Sequence, residues 1–331
     1  MRRASLLSGI AVFLLCLPLT DPTDLFQTVI SPGDTALTQL PGINDSGTIA
    51  GYFGDGTIVP NNGFTLTLPG SFTPENFPSA MQTQVVGINN SGETVGFWID
   101  SGGVTHGFTD VRNTFIPIDN PLSTSAPAVP QLLGVNNSGE GAGYYTGAAG
   151  SSQPFTRAGN TFTRAGNTFT PIKLRGLISA QATDVNNTGE VTGFNMISAI
   201  TSDGFPDVGH TFTQLDLPGS IFTQALGLNN EDQVGDHTDA GGGTHGFINY
   251  AGTLTYRSID DPYGIGTSTI NGIGTGTING INDEGQFLGS SVDANGNTDG
   301  FAPTSVPESG SLILLGSVLL ALTYKLRRLR A

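Results

Sequence analysis

One twelve-residue pattern returns six times along the chain and constrains the fold more than any other feature. The copies are GINDSGTIAGYF from Gly42, GINNSGETVGFW from Gly87, GVNNSGEGAGYY from Gly134, DVNNTGEVTGFN from Asp184, GLNNEDQVGDHT from Gly227 and GINDEGQFLGSS from Gly280. Their starts lie 45, 47, 50, 43 and 53 residues apart. Two intervals are lengthened by tandem duplications: RAGNTFT runs from Arg157 and again from Arg164, and GIGTSTIN from Gly264 is followed by GIGTGTIN from Gly272. Without these insertions every interval lies between 43 and 47 residues, a period of about 45. Repetition on this scale marks solenoids, propellers and stacked arrays.

Each unit reads as four short strands. An apolar residue, an Asn-Asn-Ser-Gly type turn and a second apolar or β-branched run make a hairpin, because Asn and Asp cap their own turns and Gly takes positive φ at no steric cost. A Gly-Phe element follows, at Phe64, Phe108, Phe205, Phe247 and Phe301, and then a TF-x-x-ID element, as in TFIPIDNP from Thr114 and TFTQLDLP from Thr211. Four strands in about 45 residues is the size of a propeller blade. The last unit stops early, at Pro303, and the chain begins with an orphan half-unit, DLFQTVISPG, that matches TFTQLDLPG. Together the halves make one period. The expected fold is therefore all-β, a six-bladed β-propeller closed by pairing of the N- and C-terminal half-units, which leaves no sheet edge open. The alternative is a β-solenoid.

Composition agrees with a turn-dense β protein. The 331 residues include 48 Gly and only 12% charged residues, while 19 Phe supply a core, so the glycines do not imply disorder. The formal charge is −15. Between Arg3 and Lys325 only six basic residues oppose 27 acidic ones, a surface that repels nucleic acid and anionic lipid. The single cysteine, Cys16, lies in the N-terminal apolar run, which excludes disulfides and cysteine metal sites from the body.

The two ends read as export signals. In residues 1–20 two arginines precede an apolar run from Leu6 to Leu19, the length of a signal-peptide core. Residues 304–331 contain Pro307 and Glu308, an apolar stretch from Leu312 to Tyr324 and a basic end with Arg327, Arg328 and Arg330, which favours the cytoplasmic side. This layout resembles the PEP-CTERM sorting signal of exosortase substrates, with Ser309 where the family carries its second Pro. The resemblance implies a chain handled by signal peptidase and an exosortase-like enzyme, anchored at the cell envelope or released, with residues 22–303 as the exported body.

Within that body the pattern G-[IVL]-N-[ND]-x-G followed by [HDN]-G-F resembles the HAF repeats of bacterial extracellular proteins. That resemblance implies an exported location and carries little about activity.

Candidate sites are few. VDANGNTDG places Asp293, Asn295, Asn297 and Asp299 at alternate positions, a spacing of hard oxygen ligands that suits calcium; a hairpin turn is the other reading. The first Asn of each motif, Asn44, Asn89, Asn136, Asn186, Asn229 and Asn282, forms either a polar crown or simply a set of turn caps. His106 and His245 occupy equivalent places in two units, and His210 and His237 complete the histidines; three or four convergent zinc ligands are not evident. Tyr52, Phe97, Trp98, Tyr144, Tyr145 and Phe194 are aromatics that could meet a glycan or pack in the core. No unit stands out by a deviant acidic cluster. The functional expectation is a non-catalytic exported repeat protein of the cell surface or extracellular matrix, binding polysaccharide or protein and needing no cofactor beyond the candidate calcium. The alternative is an extracellular carbohydrate-active hydrolase or lyase.

Overall fold

The computed structural model describes residues 26–55, 60–121, 130–147, 150–158, 168–173, 179–198, 201–208, 211–250, 255–259 and 276–304. The expected signal peptide (1–20), the sorting-tail residues Pro307, Glu308, Ser309, Arg327, Arg328 and Arg330, and His210 lie outside the described residues. The described residues form 24 β-strands and no helix.

The second unit shows how a repeat folds. Gln82–Ile88, Thr94–Ile99, Thr105–Asp110 and Phe115–Ile118 form an antiparallel sheet in chain order. Its first turn is set by one side chain. Asn89 Oδ1 accepts the backbone N–H groups of Ser91 and Glu93 at 3.0 and 3.1 Å, and Gly92 takes the positive φ of 77° that closes the turn. The same capping recurs at Asn44, Asn136, Asn186, Asn229 and Asn282. Four units make separate four-stranded sheets.

The remaining strands meet where the ends of the repeat array meet. Phe26–Val29 pairs antiparallel with Thr298–Pro303, from Phe26 opposite Pro303 to Val29 opposite Gly300, and supplies the fourth strand to Gly276–Ile281, Phe287–Val292 and Thr298–Pro303. Phe26 packs against Phe287 and Phe301 with ring centroids 5.1 and 5.4 Å apart. One parallel bridge, Leu37 to Thr298, joins this unit to the first, so the two form a continuous eight-stranded sheet.

The core lies between units. The Phe of the Gly-Phe element is buried in all five copies, at Phe64, Phe108, Phe205, Phe247 and Phe301, and Phe155, which follows Pro154, takes the same buried place in the third unit. Ala50 of the first unit packs with Val85, Ile88 and Phe108 of the second, and Val95 of the second with Leu132, Val135 and Phe155 of the third. Leu288 and Ala302 of the last pack with Leu40, Ile43 and Phe64 of the first. Each such phenylalanine contributes roughly 1.5–3 kcal/mol of apolar burial. A unit alone would leave this face in water, so the repeats stabilise one another. One of the few basic residues is spent here: Arg157 of the third unit is buried beside Glu93 of the second.

Every first strand carries a register shift immediately before the first motif residue, between Gln39 and Gly42, Val85 and Gly87, Leu132 and Gly134, Ala182 and Asp184, Ala225 and Gly227, and Ile278 and Gly280. Such bulges bend a strand and re-aim its backbone. Here they bring neighbouring first strands within backbone contact. A Cβ at Gly42 would stand 2.6 Å from the Val86 carbonyl oxygen, one at Gly87 2.8 Å from that of Leu133, and one at Gly280 2.6 Å from that of Pro41.

Candidate functional site

The first strands and their turns surround an open cavity of about 240 Å³ that residues from all six units line. Its architecture follows from the Asn-Asn dipeptide of four motifs and the Asn-Asp of the first and last. The first Asn of each motif uses its oxygen to cap its own turn and its Nδ2 to donate to the backbone carbonyl of the matching Asn in the next unit. Asn44 donates to Asn89 at 3.1 Å, Asn89 to Asn136 at 3.0 Å, Asn136 to Asn186 at 3.0 Å, Asn186 to Asn229 at 3.2 Å, Asn229 to Asn282 at 2.8 Å, and Asn282 back to Asn44 at 3.0 Å. The six hydrogen bonds form a cycle. The two readings of these asparagines, turn caps and a polar crown, describe the two ends of one amide.

A second cycle lies one residue further along and is exposed. The backbone N–H of Asp45 donates to Asn90 Oδ1 at 2.9 Å, Asn90 to Asn137 at 2.9 Å, Asn137 to Asn187 at 2.9 Å, Asn187 to Asn230 at 3.1 Å, Asn230 to Asp283 at 3.0 Å, and Asp283 to Asp45 at 2.9 Å. Asn187 also reaches Asp283 Oδ2 at 3.1 Å, skipping a unit, so the ring is narrow.

Against this near-symmetry two departures stand out at the cavity wall. Asp184 occupies the place held by Gly42, Gly87, Gly134, Gly227 and Gly280. Its Oδ1 accepts its neighbour Val185 N–H at 2.9 Å and its Oδ2 accepts Leu228 N–H of the next unit at 3.0 Å. Burial pushes its carboxyl up to about 7 against the opposing pull of those two N–H groups. The second departure is a polar cluster where the last unit meets the first. Gln39 Oε1 accepts from Asn279 Nδ2 at 3.4 Å and from Ser290 Oγ at 3.2 Å, and Tyr52, whose hydroxyl is raised to about 12 by burial, lines the same cavity. Sequence reading passed over Asp184, although a lone Asp in a column of five glycines was there to be seen.

The Asp293 loop is a turn between adjacent strands. Asp293 Oδ1 accepts the backbone N–H groups of Asn295 and Asn297, both at 2.8 Å, and its Oδ2 accepts their side-chain amides at 3.2 and 3.0 Å. These donors hold the Asp293 carboxyl below the usual carboxylate range. Asp299 lies on the following strand, opposite Ser291. Asp100 and Asp239 build the same turn in two other units, accepting from Gly102 and Val104, and from Gly241 and Gly243. Among the described residues no group of three or more His, Cys, Asp or Glu converges on one point.

The histidines sit beside these turns. His106 contacts Asp119 through Nδ1 at 2.8 Å and Asp100 through Nε2 at 3.4 Å, and stacks on Trp98 at 4.5 Å. His245 lies 3.6 Å from Asp239, with the His237 ring 5.3 Å away. Trp98 is also stacked on Phe77 at 4.1 Å, so both of its faces are covered. Phe194 is buried, while Tyr52 and Tyr144 are partly buried and both are raised to about 12 by desolvation.

No protein-family model and no curated protein matches the chain. Solved structures do. A mutant of AofleA from Arthrobotrys oligospora matches with a TM-score of 0.50 at 12% identity, over 86% of this chain and 91% of its own. The Trypanosoma rangeli sialidase in complex with the inhibitor DANA matches at 0.46 and 11% identity, over 88% of this chain and 58% of the sialidase. An N11 neuraminidase-like protein of A/flat-faced bat/Peru/033/2010 matches at 0.43 and 9% identity, over 86% and 95%. At 12% identity the likeness to AofleA concerns the fold alone, and the fold is that of a β-propeller.

Proposed function

We propose that the chain is an exported, non-catalytic β-propeller of the cell surface or extracellular matrix that binds neutral polysaccharide, using the end of the ring where the asparagine turns converge. The observation that carries this reading is the exposed hydrogen-bond cycle of Asn90, Asn137, Asn187 and Asn230 with the Asp45 and Asp283 carboxylates, set around a shared cavity. Amides and backbone groups offer donors and acceptors together, which is what hydroxyl groups require. The acidic surface argues against an anionic partner. In this reading residues 1–20 direct export and the PEP-CTERM-like tail sorts the body at the envelope, with signal peptidase and an exosortase-like enzyme as processing partners.

Affinity electrophoresis through gels holding dextran, mannan or galactan tests it, with reducing-end release measured on the same polymers. Retardation in at least one gel without new reducing ends is expected. New reducing ends would replace the reading by that of a carbohydrate-active hydrolase, and free migration in every gel would overturn it.

A further inference from the structure

From the cavity wall we infer that the ring holds an axial subsite for one uncharged sugar residue, with Asp184 as its principal hydrogen-bond acceptor and Tyr52, Gln39 and Asn279 as its other polar contacts. This deepens the saccharide-binding reading and rests on it.

Three observations converge. The first is the break in symmetry. Five units place glycine at this point because neighbouring backbones crowd it; a Cβ at Gly134 would stand 2.3 Å from Asp184 Oδ1 itself. The fourth unit instead introduces a carboxylate into the cavity wall, where desolvation works against its charge. A group that costs stability and departs from its own repeat is what a ligand site adds to a symmetric scaffold.

The second is the company it keeps. Each Asp184 oxygen accepts one backbone N–H, and a carboxylate oxygen can accept a further hydrogen bond. Tyr52 and Gln39 from the first unit and Asn279 from the last line the same cavity. Between these groups run apolar stretches, among them Pro41 and Leu226. Donors, acceptors and C–H surface in one open cavity match a sugar ring, whose hydroxyls alternate with C–H faces. An ammonium ion would call for acceptors alone.

The third is size. A cavity of about 240 Å³ falls below the roughly 300–1,000 Å³ of sites that engulf drug-sized ligands. It suits a single ring, such as a terminal or branch residue of a polymer lying across the exposed cycle of Asn and Asp side chains.

Saturation-transfer NMR with methyl α-D-glucopyranoside, methyl α-D-mannopyranoside and methyl α-D-galactopyranoside tests the subsite on the wild type, Asp184→Gly and Tyr52→Phe. Asp184→Gly restores the residue that five units carry, so it folds, as circular dichroism checks. Transfer from at least one glycoside to the wild type, weakened tenfold or more by Asp184→Gly and measurably by Tyr52→Phe, is expected. No transfer from any glycoside, or equal binding by all three proteins, would overturn the subsite. The polysaccharide gels separate the levels: if the wild type is still retarded, only the axial assignment falls, and if it is not, the wider reading falls with it.

Discussion

Asn282 donates its side-chain amide to the backbone carbonyl of Asn44 at 3.0 Å, across 238 residues of sequence. The same side chain caps its own turn by accepting Gln286 N–H at 2.8 Å. Asn282→Ala therefore loses both hydrogen bonds, at about 0.5–1.5 kcal/mol each, while the Asn44 carbonyl keeps the Gly47 N–H at 2.9 Å. Asn282→Asp keeps the accepting oxygen and loses the donor. Denaturant melts should show both variants well below the wild type; an Asp variant as stable as the wild type would reduce the recurrent asparagine to a turn cap.

The motif glycines fall into two classes with different penalties. Gly92 has a φ of 77° and open space around it, so Gly92→Ala costs only backbone strain, roughly 1–2 kcal/mol. Gly87→Ala drives a methyl to 2.8 Å from the Leu133 carbonyl and 2.9 Å from Val95, which forces neighbouring strands apart. The expected order of thermal stability is wild type, then Gly92→Ala, then Gly87→Ala.

Acidity should stabilise the ring. Burial raises Glu75, Asp184 and Asp236 each to about 7. A carboxyl whose folded-state pKa lies above its unfolded one keeps its proton in the native state, so stability falls as pH rises from about 4 through 7. Asp100, Asp239 and Asp293 are shifted down and act oppositely, but only at pH below the ordinary carboxylate range. Melting temperature should be higher at pH 5 than at pH 8, and Asp236→Asn should flatten the slope; Asp236, buried and shifted by desolvation alone, costs up to about 4 kcal/mol when ionised.

Removing residues through Val29 strips the strand that pairs with Thr298–Pro303 and bares its edge. The expected result is concentration-dependent association, read by sedimentation, together with a lower melting temperature from the lost Phe26 contacts with Phe287 and Phe301.

The repeat count, the hairpin turns and the buried Phe of each Gly-Phe element were legible because each depends on residues close together in sequence. The pairing of Phe26–Val29 with the final strand was also foreshadowed, by two half-units that add up to one. The other half of each asparagine's work was not, since Nδ2 reaches a partner some 45 residues away whose position only the packed units define. Asp184 was visible as a substitution, yet its meaning depends on which strand borders the cavity. Trp98 shows the same limit: nothing in GFW says that Phe77 and His106 will cover both faces of its ring.

Small-angle scattering of residues 22–303 tests the central claim, that the units close into one ring around a shared cavity. Closure predicts a compact particle with a radius of gyration near about 19 Å. An elongated particle with a substantially larger radius would contradict the ring and, with it, both amide cycles.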